Sequence, residues 1–262
     1  MDKIRKQNKL MFIGALIILG ALLLWSLGLE IYARSAEKSE TIDEDAALIT
    51  LLLDNTVLNI EEGDELGYTI TRTRNLDWKM YGRELRISAR GGILTLSIPE
   101  DSELQGINIE NHREASYIYS IDTGELNITT DGNIIIQDVE APRVKLDAAG
   151  IGITSSEMDN LFISATEKVD ITETDIEELS LFFGDLDATV LGGNIGKVKS
   201  SSLSGNLEIE PDNGISSITV TGGASTIFID GEDTASVSFV DADNPDGASI
   251  EFTSPKGSVK TC

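Results

Sequence analysis

Apolar residues change rhythm along this chain. From Leu10 to Leu29 the sequence reads LMFIGALIILGALLLWSLGL, 20 residues without a charge. At about 1.5 Å of rise per residue such a run spans roughly 30 Å as a helix, the thickness of a hydrocarbon core. From Leu48 onward the rhythm becomes one of alternation, the period of a β-strand with one face turned inward. Leu48–Leu53, Val57–Ile60, Gly67–Thr73, Glu84–Ser88 and Ile93–Ile98 each read as a short strand. Asp54-Asn55, Glu62-Gly63-Asp64, Gly91-Gly92 and Pro99 separate them as turn-formers.

Past Ile107 the alternation itself repeats. Apolar pairs recur at Leu126/Ile128, Val144/Leu146, Leu161/Ile163, Leu179/Leu181, Val198/Ser200, Ile218/Val220 and Val237/Phe239, in steps of 18, 17, 18, 19, 20 and 19 residues. A second series follows about eight residues behind, at Ile134/Ile136, Ile151/Ile153, Val169/Ile171, Leu186/Ala188, Leu207/Ile209 and Ile227/Ile229. Val139, Met158, Ile176, Ile195 and Ile215 close the units. Two strands and a corner every 18–20 residues predict an all-β, single-stranded β-solenoid of β-helix type, its coils stacked so that Val144, Leu161, Leu179 and Val198 form one internal ladder. A meander or sandwich also spaces strands near nine residues; the regularity favours the solenoid.

The expected order along the chain is a cytoplasmic basic tail (1–9), a transmembrane helix (10–29), a juxtamembrane spacer (30–46), N-terminal strands capping the solenoid (47–106), repeats (107–240) and a C-terminal cap (241–262). Asp2 against Lys3, Arg5, Lys6 and Lys9 gives the tail a charge of +3. Positive residues stay in the cytoplasm, so the β domain is expected outside, on a single-pass protein of the cell membrane. A cleaved signal peptide would have a shorter apolar run ending in a small-x-small site. Ile31-Tyr32-Ala33 puts a bulky residue where a small one is wanted, which favours an uncleaved signal anchor.

Composition narrows the function more than it names it. The chain has a formal charge of -25, so everything after the tail carries -28. Such a surface repels phosphates and excludes nucleic acid as a partner, while it attracts cations and cationic peptides. There is one histidine, His112, and one cysteine, Cys262, which leaves no intramolecular disulfide, no His-based triad and no Cys-rich metal site. Asp241-Ala242-Asp243-Asn244-Pro245-Asp246-Gly247 looks like a calcium loop, but Pro245 holds the fifth position and Phe252 stands where a glutamate is needed. Asp230, Glu232 and Asp233 offer at most a weak cation site. Gly192-Gly193-Asn194-Ile195-Gly196 lacks the Lys-Ser/Thr of a phosphate loop, and Asn127-Ile128-Thr129 is a sequon by pattern only. No catalytic, cofactor or metal residue is assigned.

The stretch LRISARGGILTLSIPEDSELQGINIE, with Leu96-Ser97-Ile98-Pro99 in an L-x-I-P run, is followed by units such as LNITTDGNIIIQ. Together they resemble the bacterial "putative adhesin" family of β-strand repeats, over roughly residues 47–240. Glu167-Lys168 replaces the turn glycine of one unit, and Ser200 breaks one apolar pair. The resemblance implies an envelope protein, often of Gram-positive bacteria, in a family whose members in some cases sit beside membrane-stress regulators. It carries no catalytic residues over. The expected function is a non-enzymatic, membrane-anchored, adhesin-like module that binds an envelope protein, a wall polymer or a cationic peptide. The alternatives are an accessory protein of an envelope-stress response, acting through Gly14, Ala15, Gly20 and Ala21 of its span, and a polysaccharide-active enzyme.

Overall fold

The computed structural model describes residues 37–184, 187–202, 204–221, 227–229, 232–233, 238–241, 244–254 and 258–261. The tail, the Leu10–Leu29 span, residues 30–36 and Cys262 lie outside the described residues. Among those described, no helix is long and apolar enough to cross a membrane.

The chain is all-β. β1 (Glu37–Thr41), β2 (Leu48–Gly63), β3 (Gly67–Thr71), β4 (Asn75–Tyr81) and β5 (Glu84–Pro99) form the N-terminal block. Here β2 and β5 run parallel over their whole length, and β3 and β4 lie antiparallel on the two halves of β5. The turns expected at Asp54-Asn55 and Gly91-Gly92 do not end these strands. Asn55 and Gly91 take positive φ (54° and 72°) and bend each strand without breaking the ladder. The segment read as a spacer also contributes, since β1 pairs with β3.

Twelve strands follow in alternation: β6 (Gly106–His112), β7 (Ser116–Asp122), β8 (Glu125–Thr130), β9 (Asn133–Glu140), β10 (Arg143–Ala148), β11 (Gly150–Thr154), β12 (Glu157–Ala165), β13 (Val169–Thr172), β14 (Asp175–Phe183), β15 (Ala188–Leu191), β16 (Ile195–Ser202) and β17 (Leu207–Glu210). Even-numbered strands pair in parallel with even ones and odd with odd. The register places Leu126 beside Val144, Val144 beside Leu161, Leu161 beside Leu179 and Leu179 beside Val198. In the second series the paired residues are Val169 with Ala188 and Ile171 with Val190, so Ala188 is the first member of its pair and not the second, while Leu186 lies outside the described residues.

The solenoid expectation is corrected by how the ladders join. A solenoid keeps its ladders apart and ends openly at both sides. Here the 16-residue β2 runs unbroken through both series, pairing β6 with its first half and β7 with its second. On the far side Glu140 at the end of β9 pairs with Glu157 at the start of β12. Hydrogen bonding therefore closes through β2, β6, β8, β10, β12, β9 and back to β7, a seven-strand parallel β-barrel with further strands attached. Period alone predicts who lies beside whom, but it does not report whether a strand is long enough to turn a corner and link two ladders.

The remaining strands are β18 (Ile215–Thr221), β19 (Ile227–Ile229), β20 (Glu232–Asp233), β21 (Ser238–Val240), β22 (Ala248–Thr253) and β23 (Val259–Lys260). β22 lies between β16 and β18, parallel to both, and β23 lies between β17 and β19. Of the expected last repeat at Val237/Phe239, Val237 lies outside the described residues, and Phe239 belongs to β21, which turns back antiparallel on β18.

One apolar core runs the length of the molecule. Ile49, Leu51, Ile107, Leu126, Ile128, Leu146, Ile163, Leu181 and Ile250 are at most 2% exposed. A buried aliphatic side chain of this kind stabilises by about 1.5–3 kcal/mol, and most of the core is aliphatic, as the low aromatic content requires.

Candidate functional site: an acid-rimmed cleft beside the first strands

The connections at one end of the N-terminal block enclose a cleft of about 620 Å³. Its walls come from the β1–β2 link (Ile42 to Ala46), the residue before β3 (Leu66), the end of β5 (Ile98, Pro99) and the turn from Asp101 to Leu104. Backbone hydrogen bonds hold these segments together. The Ile42 N–H donates to Leu66 O at 2.8 Å, Ala47 to Arg83 O at 2.8 Å, Ser102 to Pro99 O at 3.0 Å and Gln105 to Ala47 O at 2.7 Å. The site is thus built on backbone pairing and not on free loops.

Its chemistry is two-layered. Ile42, Ala46, Ile98 and Leu104 are buried and form an apolar floor. Asp43, Glu44, Asp45, Glu65, Asp101 and Glu103 stand exposed around it, with Arg83 as the cation of the lining. The volume is that of a small-molecule or side-chain-sized pocket. The arrangement accepts a group that is apolar at its centre and positive at its edge. Among the described residues no group of three or more His, Cys, Asp or Glu side chains is placed to hold a metal ion.

β1, which leads into this cleft, is tied down by a charge-assisted bond. The Tyr68 hydroxyl donates to Glu40 Oε2 at 2.5 Å. That bond holds the Glu40 carboxyl below its ordinary range. Burial, with Glu40 second, pushes the Tyr68 phenol up to about 12.

The residues singled out in the sequence are scattered. His112 Nδ1 lies 3.5 Å from Asp131, with both side chains exposed. Asn127 Nδ2 donates to Asn108 and Glu125, in the sheet ladder. Gly192 and Gly193 form a corner at φ near +71° and +72°, and a Cβ on Gly193 would stand 2.1 Å from Thr174 O. Of the calcium-like loop, Asn244 donates to Asn213 O, and Asn213 donates to Asp246 O, so the described part is a turn clasped to its neighbour. Glu232 and Asp233 make up the short β20. Asp230, Ala242 and Asp243 lie outside the described residues.

Sequence reading missed the cleft entirely, because its floor is assembled from four connections that show no common pattern. It also missed an outward aromatic pair. Phe162 and Phe182, 38% and 49% exposed, meet at 5.5 Å between ring centres, and Lys145 Nζ lies 5.9 Å from the Phe162 ring centre. The signal was present as two outward phenylalanines one repeat plus two residues apart.

No family model and no curated protein matches the chain. Among solved structures it is similar to a "putative lipid binding protein" of Parabacteroides distasonis, at TM-score 0.55 and 14% identity, over 86% of this chain and 96% of that one. It is also similar to a "putative adhesin" of Parabacteroides merdae, at TM-score 0.52 and 16% identity, over 87% and 96%. At these identities the likeness establishes a shared fold.

Proposed function

We propose that the chain is a non-enzymatic binding module of the bacterial cell envelope, held at the membrane through residues Leu10 to Leu29, whose ligand is a cationic, amphipathic segment of a peptide or partner protein. The observation that carries this reading is the cleft with a buried apolar floor and six carboxylates at its edge. An apolar side chain fills the floor while flanking Lys or Arg residues meet the rim, and the long-range field of a -25 chain raises the rate of encounter. The names of the two fold neighbours, one for adhesion and one for lipid binding, agree with a binding role.

The test is calorimetric titration of the full chain with a Lys/Leu amphipathic peptide. Asp43→Asn, Asp45→Asn and Asp101→Asn together should weaken binding at least tenfold. Asp159→Asn, Asp175→Asn and Glu177→Gln, on another face, should leave it within twofold although they remove the same charge. Equal weakening by both sets would reduce the effect to general acidity and sink the reading.

One feature favours a regulatory use of the same cleft. β1 lies immediately before the residues that line it, and the Leu10–Leu29 segment precedes β1 in the chain. Ligand that orders Thr41–Ala46 thereby bears on that segment. Deletion of the gene should then alter the response to cell-wall antibiotics, and an unchanged response would leave only the binding role.

A further inference from the structure

By chain order β18 should lie on β16. The step from Val198 to Ile218 is 20 residues, against 17–19 for the four steps before it. Both strands present the same alternation, so direct pairing would complete the ladder. The C-terminal strand takes that place instead. Inward, Ile250 lies between Val198 and Ile218, and Phe252 between Ser200 and Val220. Outward, Ser249 lies between Lys197 and Ser217, and Thr253 between Ser201 and Thr221. Ser217 and Ser249 hydroxyls are 3.1 Å apart, and those of Thr221 and Thr253 are 2.9 Å apart. β23 repeats the insertion between β17 and β19.

Slot and insert are separate pieces of one chain, and they match. Ser200 is a small residue in a column otherwise built of larger apolar ones, and Phe252 stands beside it in register, completely buried, with its ring 6.4 Å from that of Phe183. The connection into β22 is a turn, Asn244 to Gly247, held by a small set of bonds. Asn244 Nδ2 donates to Asn213 O at 3.0 Å, Asn213 Nδ2 to Asp246 O at 3.2 Å, Ser216 Oγ to Ala248 O at 3.1 Å, and the Ala248 N–H to Gly214 O at 2.8 Å.

We propose that the slot between β16 and β18 also accepts the C-terminal strand pair of a second copy of this chain, so that neighbouring molecules associate by strand exchange. Exchange swaps identical contacts, so the folded interfaces are conserved and the cost is that of bringing two chains together. That cost falls with local concentration. The occupant is a second copy because the complement to the Ser200 recess, a phenylalanine in register with Ile250, is carried by this chain itself. An empty slot would expose two strand edges, which demand a partner.

The test uses full-length chains in detergent with Cys262→Ser. Paired Ser217→Cys and Ser249→Cys in one chain should cross-link internally on mild oxidation and stay at one-chain mass, since their hydroxyls stand in contact and facing strands lie within disulfide reach. Mixing a chain carrying only Ser217→Cys with one carrying only Ser249→Cys should give a band at two-chain mass that grows with concentration and incubation time. Three outcomes overturn the proposal. The mixed chains could stay at one-chain mass while the double variant links. Ser217→Cys could link equally to a chain carrying Lys38→Cys, which would show random collision. The double variant could fail to link, which would remove β22 from beside β18.

Discussion

The middle of the molecule and its C-terminal end are built from the same kind of strand, yet only in the middle does chain order equal spatial order. From β8 to β17 each strand lies on the one before it in its series, with a partner 17–19 residues back. From β18 on, the parallel neighbours, β22 and β23, come from more than 30 residues away. The difference traces to volume. The inward column through Ile109, Ile128, Leu146, Ile163 and Leu181 presents one large aliphatic at every level. At Ser200 it narrows to a hydroxymethyl group, and a valine from β18 would leave a void there. Phe252 is large enough to fill it, and it is buried completely. Periodicity decides which faces can meet. Packing decides which of the eligible strands does, because a void forfeits contacts that close-packed interiors otherwise make.

The sharpest way to break this comparison is to remove one large side chain from each region. Phe252→Ala should cost about 3–5 kcal/mol and Leu181→Ala about 2–5 kcal/mol by the usual scale for core truncations. The two losses should differ in reach. Leu181→Ala should lower the midpoint of the main thermal transition. Phe252→Ala should chiefly speed amide exchange in β18, β22 and β23, with the exchange of β8 to β12 unchanged. Uniform acceleration along the chain would show that the C-terminal end is not a separately opening unit.

Next in size is the corner between β15 and β16. Gly193 has φ near +72°, and an added Cβ would press on the Thr174 carbonyl oxygen. A left-handed conformation alone costs an L-residue roughly 1–2 kcal/mol, and the backbone contact adds to it. Gly193→Ala should therefore destabilise the chain by at least about 2 kcal/mol in chemical denaturation. Gly82, also at positive φ, has nothing within 4 Å of its built Cβ. Gly82→Ala should lose only the conformational part, and equal losses would mean that the stacked Thr174 turn yields without cost.

Much of this was legible in advance, and the limits are instructive. Val144, Leu161, Leu179 and Val198 are paired as their spacing predicts, because one period of the sequence is one step of the ladder. The closed connectivity was not legible, since Asp54-Asn55 and Gly91-Gly92 carry the composition of a turn while serving as bends inside long strands. Nor was the insertion of β22. Ser200 read as a lapse in the repeat, and nothing local says that a lapse at one position is the complement of Phe252 more than 50 residues on. The acid-rimmed cleft joins the second group, because its rim carboxylates are indistinguishable in sequence from the many that only face solvent.

A smaller effect is expected at Ser200 itself. Its hydroxyl is buried and has no hydrogen-bond partner. Leaving such a group unsatisfied costs about 1–3 kcal/mol, part of which returns when the group is removed. Ser200→Ala should thus raise stability by up to about 1 kcal/mol while keeping the recess open for Phe252. Ser200→Leu should reverse the sign by overfilling the recess, with β22 the strand displaced. Stabilisation by both substitutions would detach Phe252 from the account of why β22 lies where it does.

The mildest test contrasts the C-terminal insertion with the attachment of β1 at the other end, where titratable groups are involved. The Glu40 carboxyl is held below its ordinary value of 4.5 by the Tyr68 hydrogen bond, so its contribution is present above pH 4.5 and is lost as the pH falls below it. The Tyr68 phenol is pushed from 10.0 to about 12, and its neutral form is the one the fold keeps. That contribution is complete below pH 10 and disappears as the pH rises toward 12. β1 should accordingly be best protected between these limits and should loosen on both sides, ahead of the rest of the molecule. Amide protection of Glu37–Thr41, normalised for the intrinsic pH dependence of exchange, reads this directly. Tyr68→Phe keeps the ring in its buried seat and removes the hydroxyl, so it should flatten both limbs. In β22 the hydrogen-bonded outward pairs are Ser217 with Ser249 and Thr221 with Thr253, which do not titrate in this range, and the strand's outward carboxylate, Glu251, in register with Lys199, is replaced by Glu251→Gln for the comparison. Its protection should therefore follow global stability alone. If β1 and β22 loosen together at either limb, the Glu40–Tyr68 bond is not what fastens the first strand beside the cleft.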